Sequence, residues 1–86
     1  MAVRHNDFAL EIIRPSKSVL FTVSWVEVEG LTGSFTVGPG HSPLVAILKP
    51  GGVVTYNASE GGMGTLEVTG GTFSVSKGRA VILLNR

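Results

Sequence analysis

Glu29-Gly30-Leu31-Thr32-Gly33-Ser34-Phe35-Thr36-Val37-Gly38-Pro39-Gly40-His41-Ser42-Pro43-Leu44-Val45-Ala46-Ile47-Leu48-Lys49-Pro50-Gly51-Gly52 reads as short extended pieces held between turns. Phe35 and Val37 alternate with Ser34 and Thr36, the two-residue period of a strand with one face buried. Residues 44–48 are apolar throughout, so a strand there offers apolar side chains to both faces. Between and after these pieces stand Pro39-Gly40, Pro43 and Lys49-Pro50-Gly51-Gly52. Proline sets φ and glycine admits positive φ, so these are turn positions for a mechanical reason.

The same pattern runs outward in both directions. Phe8, Leu10 and Ile12 alternate with Ala9, Glu11 and Ile13, and Arg14-Pro15-Ser16-Lys17 follows as a turn. Residues 19–23 are rich in β-formers, and Val26 and Val28 alternate with Trp25, Glu27 and Glu29. Residues 53–56, 66–68, 73–75 and 81–84 complete the set of strands. Residues 57–64 read as a hairpin loop, and Ser76-Lys77-Gly78-Arg79 as a tighter one. No segment shows the 3.6-residue period over a useful length, and each interior glycine would weaken a helix by about 1 kcal/mol. Many short strands at regular spacing predict an all-β sandwich or flattened barrel. At 86 residues the whole chain, 1–86, is expected to form one domain. A domain this small buries roughly 60–65% of its unfolded surface, which leaves a thin core that a permanent partner would stabilise.

Composition narrows the function. Charged residues are 15% of the chain, against about 25% in ordinary soluble domains, which suits a surface covered in part by partners. A net charge of +1 with scattered basic residues gives no electrostatic footprint for nucleic acid. There is no cysteine, hence no disulfide and no thiolate metal site. No apolar stretch follows the first residues as in a signal peptide, and the apolar runs are too short to span a bilayer as helices. Without such a signal the sequon Asn57-Ala58-Ser59 is idle.

Catalytic chemistry is hard to assemble. The histidines are His5, near the start, and His41, in a Gly/Pro loop without metal-ligand spacing. Gly40-His41-Ser42 opens like a nucleophile elbow, but Leu44 stands where the closing glycine belongs. Gly30-Leu31-Thr32-Gly33 lacks the Gly-Lys-Ser/Thr ending of a phosphate loop. Glu27 and Glu29 would share a strand face, which is more often a solvated face than an acid–base pair. No cofactor is implied. Two competing readings are a free-standing β-sandwich binding module, which would need an aromatic-lined groove, and a small hydrolase using His41 and Ser42, for which no orienting acid is evident.

The run from Glu29 to Gly52 resembles the epsilon-subunit family of F-type ATP synthases. The family pattern is a GxxG turn and short strand, here Gly30 to Val37, then a P-[GN]-H-x-P-L loop, here Pro39-Gly40-His41-Ser42-Pro43-Leu44, then an apolar strand and turn. Leu10-Glu11-Ile12-Ile13-Arg14-Pro15 resembles its opening strand, and Thr69-Gly70-Gly71-Thr72-Phe73-Ser74-Val75 its double-glycine strand.

The resemblance implies a flattened β-sandwich of about ten short antiparallel strands, as in short forms without the C-terminal helical hairpin. It implies a non-catalytic central-stalk subunit of the rotor. Such a subunit docks the gamma subunit onto the c-ring and couples proton-driven rotation to ATP synthesis. It sits peripherally at the cytoplasmic face of the bacterial inner, or energy-coupling, membrane. Carried over by position, the gamma-facing residues are Arg14, His41 and Ala46. The ring-facing turn is Gly30, Leu31, Thr32, Gly33, Ser34 and Phe35, with Ser34 at the tip. Arg14 replaces the small residue many members have, and Ser34 replaces an acid, so both contacts must differ in shape or charge. Pro39, Gly40, Pro43, Gly70 and Gly71 are expected to shape loops. Trp25, opposite in phase to Val26 and Val28, is read as facing outward.

Overall fold

The computed structural model describes residues 7–85; His5 lies outside them. It contains eight strands: β1 Phe8–Ile13, β2 Ser18–Gly30, β3 Gly33–Val37, β4 Leu44–Ile47, β5 Val53–Ala58, β6 Gly62–Glu67, β7 Gly71–Ser76 and β8 Arg79–Leu84. They hydrogen-bond in the order β4-β7-β8-β1-β2-β5-β6, with β3 added on β2. The all-β expectation holds, and no helix occurs among the described residues. The detail differs from about ten short antiparallel strands: eight are present among the described residues, and β1 and β8 pair in parallel, Ala9 facing Arg79 and Ile13 facing Leu83.

Two expected strands are one. Residues 19–23 and 25–29 belong to the thirteen-residue β2. Its first half pairs with β1 and its second half with β3, while β5 runs along its other edge. The register on β5 slips between Val23, opposite Ala58, and Trp25, opposite Asn57. One extra residue at a bulge changes which side chains face inward. Val23 points to the core before the bulge; Val26 and Val28 do so after it. Half-buried Trp25 shares the phase of exposed Glu27. The loop expected over 57–64 is also shorter: β5 and β6 pair up to Ala58 and Gly62, leaving a turn at Ser59, Glu60 and Gly61. Cross-strand pairing holds these residues extended although the second strand carries Gly62 and Gly64.

Burial follows the two-residue period. Phe8, Leu10 and Ile12 of β1, Phe73 and Val75 of β7, and Ala80, Ile82 and Leu84 of β8 face one core with Val28, Val37, Leu48, Val54 and Val68. No polar side chain is buried among them. Phe35 of β3 and Phe73 of β7 meet edge to face at 5.9 Å although their strands are not sheet neighbours, so the two faces pack across the core. The sheet also closes on itself. Gly30 bridges to Leu48, Leu31 N–H donates to the Ile47 carbonyl (3.0 Å), and Lys49 N–H donates to the Glu29 carbonyl (3.0 Å). The end of β2 is thereby joined to the end of β4.

The hairpin between β7 and β8 turns through Lys77 (φ 51°) and Gly78 (φ 76°), the paired positive φ that matches strand twist. Gly71 has a different reason to be glycine. At φ +131°, a Cβ there would stand 2.1 Å from the Leu83 carbonyl oxygen of the neighbouring strand. At Gly51, φ is +80° and nothing lies within 4 Å. Gly51→Ala is therefore expected to cost about 1–2 kcal/mol from backbone strain alone. Gly71→Ala must also push β7 from β8, and is expected to cost about 3 kcal/mol or more. Urea denaturation midpoints of the two variants measure the difference.

Candidate functional site

The β2–β3 turn and the loop before β4 face each other across an open concavity of about 560 Å³. Gly30, Leu31, Thr32 and Phe35 form one wall. His41 and the strand residues Leu44, Val45, Ala46 and Ile47 form the other. His41 and Ala46, expected to face gamma, thus lie beside the turn expected to face the c-ring. Gly33 and Ser34 complete the turn without lining the hollow, with Gly33 at φ +146°.

The lining is mainly apolar. Leu31 is 59% exposed, Val45 75% and Ile47 58%. His41 is exposed, and its Nδ1–H donates to the backbone carbonyl of Ser42 (2.7 Å). That bond braces the loop through one ring nitrogen. It engages the carbonyl of Ser42 and not its hydroxyl, so His41 and Ser42 are not set as base and nucleophile. No group of three or more His, Cys, Asp or Glu side chains suited to a metal occurs among the described residues. The chemistry on offer is contact: aliphatic surface, one aromatic edge and backbone polar groups.

Pro39 and Pro43 bracket Gly40, which sits at φ +75° with open space around it. Gly70 (φ +137°) lies with its would-be Cβ 3.2 Å from Asn85 Nδ2, beside the crowded Gly71. Arg14 is not at the concavity. It is half-buried at the end of β1, its N–H bonded to the Lys17 carbonyl (2.8 Å). A row of cross-strand partners links the two places: Ile13 faces Leu83, Leu83 faces Thr72 and Thr72 faces Ile47. Directly paired residues share a sheet face, and three strand spacings span about 14 Å.

That outer face was not read from the sequence as a site. A parallel row runs Val45, Ser74, Val81, Glu11, Leu20. Ile47, Val45, Leu83 and Leu20 are exposed on it, and an ion pair between Arg79 and Glu11 lies within it. The signal was present in residues 44–48. A strand apolar on both sides, ending up on a surface, has one side left for something else.

Residues 7–86 match the family described as ATP synthase, Delta/Epsilon chain, beta-sandwich domain. The chain belongs to this family. The relatives within it are epsilon chains. The ATP synthase epsilon chain of Chlorobaculum tepidum is 38% identical over 85 residues, covering 96% of this chain and 94% of the relative. That of Micrococcus luteus is 35% identical, covering 85% and 80%. That of Paracoccus denitrificans is 30% identical, and there the match spans 51% of the relative's length. Among solved structures, a chain in the mitochondrial ATP synthase of Euglena gracilis superposes with a TM-score of 0.85 at 21% identity. The match covers 94% of this chain and 52% of that one, and at this identity it speaks for the fold.

Leu31 and Phe35 separate what the concavity needs from what the fold needs. Leu31→Ala removes exposed surface and is expected to change stability by less than about 0.5 kcal/mol. Phe35→Ala removes the edge-to-face contact with Phe73 and part of the core packing. It is expected to cost about 2–3 kcal/mol, below the full range for a wholly buried ring. Chemical denaturation of the two variants reads both values.

Proposed function

We propose that this chain is a non-catalytic central-stalk subunit of a proton-translocating ATP synthase, acting as one domain that joins the gamma subunit to the c-ring. Epsilon-type membership supports the assembly, and one observation carries the docking role. The exposed apolar residues Val45, Ile47 and Leu83 lie on one continuous sheet face that runs from the concavity to the end of β1. Gamma takes this face together with Arg14, His41 and Ala46. The turn Gly30, Leu31, Thr32, Gly33, Ser34 and Phe35 meets the polar loops of the c-ring. The subunit lies peripherally at the cytoplasmic face of the membrane, held there by its partners.

Physical reasons favour this division. Burying exposed aliphatic side chains contributes about 1–2 kcal/mol each, and several on a rigid face make a persistent contact. The Arg79–Glu11 pair becomes less screened once covered, which penalises partners that cannot accommodate it. A closed, cross-linked sheet transmits torque with little shear, because its core is packed at crystal-like density. Ser34 offers a hydroxyl in place of a charge, so its contact with the ring is a neutral hydrogen bond and is weakly dependent on salt.

Ile47→Asp tests the face. The variant is expected to fold with a midpoint close to the parent, since Ile47 is largely exposed. Its affinity for gamma, measured by titration with the purified gamma-containing complex lacking this subunit, is expected to fall at least tenfold. Unchanged affinity would remove the gamma contact from this face.

A further inference from the structure

Glu29 stands where two parts of the sheet diverge. Up to Val28, strand β2 runs against β5, with Val28 opposite Val54. One residue later the main chain changes partner: the Glu29 carbonyl accepts from Lys49 N–H (3.0 Å), on the β4 side of the closure. The residue of β5 that would come opposite Glu29 is Val53. Its N–H is taken by the Glu29 side chain, at 2.8 Å from Oε1. Glu29 therefore grips the β4–β5 turn at both ends, by its main chain at Lys49 and by its carboxylate at Val53. The turn closes on itself between them, Gly52 N–H donating to the Lys49 carbonyl (2.8 Å).

The fit depends on position 52 having no side chain. A Cβ there would stand 3.0 Å from Glu29 Oε1, 3.2 Å from Glu29 Cβ and 2.9 Å from the Lys49 oxygen. Across the β2–β3 hairpin, Glu29 is the direct partner of Ser34. The next residues of that hairpin turn, Gly30 and Leu31, are bonded to Leu48 and Ile47. A carboxylate accepting a backbone N–H is a charge-assisted bond, stronger than a neutral one. An aliphatic residue at 29 would leave the Val53 N–H without this acceptor.

We propose that Glu29 is a positioning residue: it fixes the β4–β5 turn to the β2–β3 turn so that this end of the subunit moves as one body under load. The coupling half of the inference rests on the rotor reading above. Without the carboxylate, the two turns are joined only through main-chain bonds at the seam, and twisting would be taken up there.

The test compares Glu29→Ala with Glu29→Gln in the reconstituted ATP synthase complex. Gln keeps an acceptor oxygen at the same reach; Ala keeps none. Hydrogen-exchange mass spectrometry of the segment 49–54 is expected to show at least tenfold faster exchange in Glu29→Ala and near-parent exchange in Glu29→Gln. ATP-driven ion transport per ATP hydrolysed is expected to fall at least twofold in Glu29→Ala, with gamma retention unchanged, and to be restored by Gln. Parent-like exchange in Glu29→Ala overturns the staple. Faster exchange with unaltered transport overturns its role in positioning. A complex lacking this chain altogether that transports as well as the complete one overturns the rotor reading, and the exchange result alone then decides the staple.

Discussion

The extra residue between Val23 and Trp25 lets both halves of β2 turn side chains to the core. A strand shows alternate residues to alternate faces, so an unbroken β2 could not bury Val23 together with Val26 and Val28. The bulge shifts the phase by one and lets a single strand serve β1 along its first half and β3 along its second. The opposing faces, the Phe35–Phe73 contact and the closure at Gly30 and Leu48 all follow from a β2 long enough to take part in both.

Closure has its own consequence for the surface. Once the end of β2 is bonded to the end of β4, the β2–β3 turn and the loop carrying His41 are brought to the same rim. Residues of opposite strand phase then acquire different tasks. Leu44 and Ala46 turn toward the interior, while Val45 and Ile47 remain on the outer face beside Leu83. Two polar side chains near this rim turn to internal bonds, His41 to the Ser42 carbonyl and Glu29 to the Val53 N–H. Leu31, Val45 and Ile47 leave hydrocarbon facing outward there.

Much of this was legible in the sequence, and the failures have physical causes. The alternations Phe8/Leu10/Ile12 and Val26/Val28 mark the core because nothing but period-2 burial explains them. The family motif marks the loop for a different reason, since Pro39, Gly40, His41, Ser42 and Pro43 are exposed and burial does not dictate them. A bulge has no local signature, so β2 reads as two strands until its pairing with β5 is known. Glycines at 62 and 64 argue for a loop by propensity, but cross-strand bonds from β5 override them. The parallel pairing of β1 with β8 is likewise invisible in any window, because its partners lie at opposite ends of the chain. Position-by-position transfer put Arg14 in one group with His41 and Ala46; the fold sets it at the end of β1, three strand spacings from β4.

That parallel pair also bears on how the molecule is made. β1 has β2 as its local partner, but its other edge waits for β8, some seventy residues further along: Ala9 is matched with Arg79. On a ribosome, the first strand emerges well before its second neighbour. The intervening chain must be held in order, or kept from wrong pairings, until β8 has emerged. Contacts of such long range place the chain among slow folders. The strand bonded at the centre of the finished sheet is, during birth, an open edge.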